Sequence, residues 1–111
     1  MANHPLTDRQ REWCEEHEWD FSDLSALFVN TTLKPSPATS NTRGLMDVSA
    51  AILEANDVEV EFLRPVDHDI APGVYPDMTE HGWESDDWPA IQGKVMDAEI
   101  LILGSPIWLG E

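Results

Sequence analysis

The chain has 111 residues, 41% of them hydrophobic, which suits one small domain with a modest core. Its 22 Asp and Glu against 6 Lys and Arg give a formal net charge of -16, and a surface of that sign repels nucleic-acid backbones and anionic lipid headgroups. No apolar run approaches the ~20 residues of a membrane helix, and residues 1–6 lack a basic end followed by an apolar stretch, so a cytoplasmic protein is expected.

In chain order, Thr7 and Gln10 form a capping-box pattern that predicts a short helix from Asp8 to His17. With Glu12, Glu15, Glu16 and Glu18, residues 1–23 read as an acidic extension on the outside of the domain formed by residues 24–111. The single cysteine, Cys14, has no disulfide or zinc partner; with His17 it stands at i,i+3 spacing, but no third group or oxyanion loop accompanies the pair.

Residues 24–30 contain the unbroken run Ser25, Ala26, Leu27, Phe28, Val29, expected of a central strand covered on both faces. A hydroxyl-rich loop follows over residues 31–41, where Pro35 and Pro37 stop both helix and ladder. Leu45, Val48 and Ile52, beside Met46, Ala50 and Leu53, repeat at helical spacing and predict a helix capped by Ser40 or Asn41 and ending near Asn56. Strict alternation over residues 58–62 marks an edge strand.

Residues 65–85 show no period and form a connection longer than most, which reads as functional or mobile. Asp86 and Asp87 open a third helix with Pro89 in its first turn and Trp88, Ile91 and Val95 along one face, weakened slightly by Gly93. Ile100, Leu101, Ile102 and Leu103 form a third strand, also of central type, which ends at Gly104, Ser105 and Pro106.

Strand, helix, strand, helix, strand implies right-handed crossovers, a parallel sheet and a three-layer α/β/α arrangement. With the alternating strand at the edge, the order is 2-1-3, the opening of the flavodoxin-type order, whose switch point lies between strands 1 and 3. The loops leaving those strands are residues 31–41 and 104–110. The first brings hydroxyls and unpaired amides to a helix N-terminus, a setting that favours a phosphate monoester, with Lys34 and Arg43 as nearby cations. The second places Trp108 and aliphatic side chains beside it.

The runs "LFVNTTLKPSPATSNTRGL" and "DAEILILGSPIWLGE" together resemble the flavodoxin-like NAD(P)H-dependent FMN reductases and quinone reductases. That resemblance implies noncovalent FMN as cofactor and NAD(P)H as electron donor, with a quinone or another small molecule as acceptor. By position it assigns Thr32, Ser40, Asn41 and Thr42 to the phosphate end and Pro106, Ile107, Trp108, Leu109 and Gly110 to the ring end. It assigns no catalytic acid or base, because the flavin carries the chemistry. Family members continue through strands 4 and 5, so the chain is expected to be the N-terminal half of such a domain, truncated before them. The third strand would then expose an unpaired edge, so the chain is expected to associate, with another copy as a candidate partner, to aggregate, or to stay partly molten. An electron carrier steered by its acidic surface, or an inactive truncated fragment, are the alternatives.

His68 between Asp67 and Asp69, with Asp77 and His81, matches no metal spacing and reads as a solvated acidic loop. Tyr75, Trp83 and Trp88 are candidates either for the substrate side of a flavin pocket or for packing under the long loop. A phosphorylatable response-regulator site is argued against by Asn30 and Gly104, which stand where acidic residues would be needed.

Overall fold

The computed structural model describes residues 5–16 and 19–107. The elements are α1 (Asp8–Glu15), β1 (Ser25–Asn30), α2 (Asn41–Ala55), β2 (Glu59–Leu63), α3 (Trp88–Asp97) and β3 (Ile100–Gly104), with short 3-10 turns at Pro65–Asp67 and Met78–His81. The strands pair in parallel in the order β2-β1-β3, with Val29 level with both Leu63 and Leu103. This is the expected flavodoxin-like α/β arrangement.

Alternation along the strands sorts the core into two layers. Ala26 and Phe28 of β1 pack against Met46 and Ala50 of α2, with Val58, Val60, Phe62, Ile100 and Ile102 around them. Leu27 and Val29 point to the other face, against Leu63 and Ile91 of α3. Phe28 is 0% exposed, and full burial of such a side chain is worth about 1.5–3 kcal/mol.

The two helices use their apolar residues differently from the simple pattern. On α2 the residues turned to the sheet are Met46, Ala50 and, partly, Leu53, while Leu45 is 78% exposed and Val48 and Ile52 are also exposed. Two apolar stripes run side by side on this helix, and close packing on Phe28 selects the one with the smaller Ala50. Ile52 instead borders an apolar groove of about 420 Å³ shared with Trp13, Cys14, Trp19 and Phe21. On α3, Ile91 is buried and Trp88 is not.

β2 is the edge that its alternation predicted, with Glu59 and Glu61 exposed. β3 holds the opposite edge: its central-type apolar run is covered by α2 on one face only, and Leu101 and Leu103 are 46% and 69% exposed.

α1 starts with the expected capping box, Thr7 accepting from the Gln10 amide and Gln10 from the Thr7 amide. It packs on the outside of α2 and buries Cys14; its expected last residue, His17, lies outside the described residues. Among the described residues no helix is long and apolar enough to cross a membrane.

The long connection is pinned rather than loose. The Asp86 carboxylate accepts from the amides of Ala71, Met78 and Trp88, and Asp87 accepts from the Asp69 amide while donating its own to the Asp69 carbonyl. These donors, the Trp88 amide foremost, hold the Asp86 carboxyl below the usual aspartate range.

Candidate functional site

The carboxyl ends of β1 and β3 meet at one point. The Thr31 amide and hydroxyl both donate to the Gly104 carbonyl, at 2.9 and 3.1 Å. Glycine permits a close approach there: a Cβ on Gly104 would lie 2.3 Å from Met46 Cε and 2.9 Å from Thr42 Cγ2, side-chain atoms that would have to shift. The start of α2 is therefore seated directly against the tip of β3.

Asn30, the last residue of β1, is 1% exposed and organises the loop that follows. Its Nδ2 donates to Ser40 Oγ at 3.1 Å, and its Oδ1 accepts from the Thr32 amide at 3.1 Å. Ser40 Oγ also accepts from the Arg43 amide, which makes Ser40 the N-cap of α2.

These bonds leave a specific set of groups unused. Among the described residues, the backbone amides of Thr39, Ser40, Asn41 and Thr42 take part in no hydrogen bond. The first turn of α2 contains no acidic residue, in a chain that carries 22 of them. Free amides at a helix N-terminus, uncontested by local carboxylates, are a donor set for an anion.

The residues assigned from sequence fall as follows. Thr32 and Ser40 are buried, and their hydroxyls already accept from the Lys34 and Arg43 amides, so they shape the loop. Asn41 is exposed at the helix start, and Thr42 is half-buried beside Gly104. Pro106 is half-buried and Ile107 exposed just past the same strand end; Trp108, Leu109 and Gly110 lie outside the described residues.

Tyr75 stacks on His81, their ring centroids 3.8 Å apart, and with Trp88 it borders a separate hollow of about 310 Å³. Among the described residues, none of those assigned to the flavin borders that hollow, and Trp83 does not line it either. His68 Nδ1 lies 3.8 Å from Asp87 Oδ2. Among the described residues no group of three or more His, Cys, Asp or Glu side chains is gathered to hold a metal ion.

Sequence reasoning missed Arg64 and read Asp67 only as part of a solvated acidic loop; both follow β2. Arg64 donates to the carbonyls of Lys34 and Ala38, at 3.0 and 2.9 Å, and Asp67 accepts from the amide and hydroxyl of Ser36. A signal existed: in a parallel sheet adjacent strands end at the same level, so residues just past β2 must lie beside the loop leaving β1. A cavity of about 430 Å³ opens on this flank, bordered by Asn30, Ser36, Arg43, Arg64 and Lys94. Arg43 covers the Phe62 ring at 3.5 Å, and Lys94 pairs with Glu61.

Comparison with known proteins agrees with the fold. The family model for NADPH-dependent FMN reductase matches residues 26–111. The chain is 37% identical over 91 residues to 8-demethyl-8-aminoriboflavin-5'-phosphate synthase of Streptomyces davaonensis, covering 78% of this chain and 35% of that protein. It is 57% identical over 91 residues to a Mycobacterium bovis protein named divalent metal cation transporter MntH, covering 82% of this chain and 13% of that one. Among solved structures, the crystal structure of RosB with the bound intermediate 8-demethyl-8-formylriboflavin-5'-phosphate matches with a TM-score of 0.68 at 37% identity, over 78% of this chain and 36% of that one. The chain thus spans well under half the length of each of these relatives.

Proposed function

Because the chain belongs to the NADPH-dependent FMN reductase family, we propose that the loop from β1 to α2 holds the phosphate of noncovalent FMN and that the flavin ring lies along the segment after β3. The observation that carries this reading is the open donor set at Thr39, Ser40, Asn41 and Thr42 beside the β1–β3 crevice. A 37% identical structure that contains a riboflavin 5'-phosphate derivative supports it.

The cofactor would accept hydride from NAD(P)H and deliver electrons to a quinone or another small acceptor, as an FMN-dependent oxidoreductase does. This chain's own part is positional. Main-chain amides hold the phosphate without a dedicated cation, Gly104 lets α2 approach the crevice, and Asn30 fixes the loop between them. Thr32, Ser40, Asn41 and Thr42 form the phosphate end, and residues 106–110 border the ring. Residues 1–23 are an appended acidic segment, and 24–111 the flavin-binding unit.

The exposed edge of β3 and its apolar Leu101 and Leu103 favour pairing with a second copy. Size-exclusion chromatography with light scattering is expected to show association; a monodisperse monomer at every concentration contradicts this.

The test of the flavin site is a fluorescence titration of the chain with FMN and with riboflavin. Binding of FMN at least about tenfold tighter than riboflavin is expected, since the phosphate carries the charge-assisted hydrogen bonds. Equal affinities would remove the phosphate from the loop. Reduction of the bound flavin by NADPH alone, without a partner protein, separates a reductase from an electron carrier.

A further inference from the structure

The turn after β2 grips the phosphate loop from the side away from β3. Arg64, half-buried at the end of that strand, uses a single guanidinium nitrogen to draw in the carbonyls of Lys34 and Ala38. Three residues on, Asp67 takes the amide of Ser36 at 2.8 Å and its hydroxyl at 2.5 Å. The loop is thus held at its entry, its apex and its exit by one neighbouring segment.

We infer that Arg64 and Asp67 act as a clamp that sets the shape of the β1–α2 loop, and are positioning residues for the flavin phosphate. This rests on the reading of that loop as the phosphate site. In a trans peptide the carbonyl and the following N–H point in opposite directions. Fixing the Ala38 carbonyl toward Arg64 therefore turns the Thr39 N–H away from Arg64, at the head of the run whose Ser40, Asn41 and Thr42 amides are also without a hydrogen bond. Ordering a residue costs conformational entropy, so a loop already ordered before the anion arrives binds it more tightly.

The clamp pairs one positive with one negative group, which separates shape from charge. If these residues acted through their field on the phosphate, removing the carboxylate would strengthen anion binding. A clamp predicts the reverse: both removals weaken it.

The experiment compares wild type, Arg64→Gln, Asp67→Ala and Ser36→Ala by titration with FMN and riboflavin, and by amide hydrogen exchange without ligand. Expected are losses of about tenfold in FMN affinity for Arg64→Gln and about threefold for Asp67→Ala and Ser36→Ala, with riboflavin unaffected. Exchange should quicken at the amides of Lys34, Ser36 and Ala38, which are hydrogen-bonded in the ordered loop, while the β1 amides stay protected. Tighter FMN binding by Asp67→Ala, unchanged FMN affinity in both Arg64→Gln and Asp67→Ala, or equal losses for FMN and riboflavin each overturn the clamp. A wild-type protein that does not distinguish FMN from riboflavin overturns the phosphate reading and the role built on it, whereas the exchange measurement still decides whether the two residues order the loop.

Discussion

At the start of α3 the carboxylate of Asp86 accepts from the amides of Trp88, Met78 and Ala71, and Asp87 takes that of Asp69. At the start of α2 the neutral Ser40 covers the Arg43 amide and no more, so the amides of residues 39–42 stay free. Both helices follow a polar, proline-containing loop at the same end of the sheet. One N-terminus has the protein's own carboxylates beside it, one of them bonded to its first amide, and the other has no acidic residue in its first turn. A chain with a net charge of -16 can bind an anion if its carboxylates are committed elsewhere and the donor set is main-chain.

The comparison breaks most completely if α2 is given an anion of its own. Thr42→Asp places a carboxylate in the first turn, where it competes for the free amides and repels a phosphate. FMN affinity is expected to fall by on the order of 100-fold, with the thermal midpoint unchanged or raised. Retained FMN binding, read by fluorescence titration, would move the phosphate elsewhere.

Gly104→Ala tests the contact between α2 and the tip of β3. The added methyl meets Met46 and Thr42 at short range, and a loss of about 1–3 kcal/mol in chemical denaturation is expected, together with weaker FMN binding. Ser40→Ala removes the helix cap and leaves the buried Asn30 amide without an acceptor. It should cost about 2 kcal/mol, measured the same way.

On the α3 side, Asp86→Ala frees three amides that nothing else covers. Limited proteolysis within residues 70–85 should accelerate several-fold while FMN affinity stays within about twofold of wild type. A parallel loss of FMN affinity would mean that the two loops are not independent.

The smallest effect is acid sensitivity. Hydrogen bonding holds Asp86 and Asp67 below the usual aspartate range in the folded chain, the latter chiefly through the Ser36 hydroxyl and then its amide. A depressed folded value means that these bonds contribute fully above the unfolded aspartate value and are lost as pH falls through the lower, folded one. Proteolytic opening of both loops should thus appear only below about pH 4.

Much of this was legible before the structure. The unbroken run of β1 against the alternation of β2 was enough to place β2 at the edge and the switch point between β1 and β3, because burial on one face or two leaves different periodicities. The hydroxyl-rich segment before α2 correctly located the helix start. Other features depend on tertiary contact and left weaker marks. Which of the two stripes of α2 turns inward is decided by the fit of Met46 and Ala50 on Phe28. The role of Arg64 comes from the strand register rather than from its sequence neighbours. The long connection looked free of structure because its order comes from Asp86 and Asp87, at its far end.

The central claim is that amides at the start of α2 hold the flavin phosphate. The most direct test is to follow the backbone amide resonances of Thr39, Ser40, Asn41 and Thr42 by NMR while adding FMN, riboflavin or inorganic phosphate. The account predicts large shifts at these four positions with FMN, smaller ones with phosphate, and little change with riboflavin. Shifts that spare them with FMN, or that are the same with riboflavin, would contradict it.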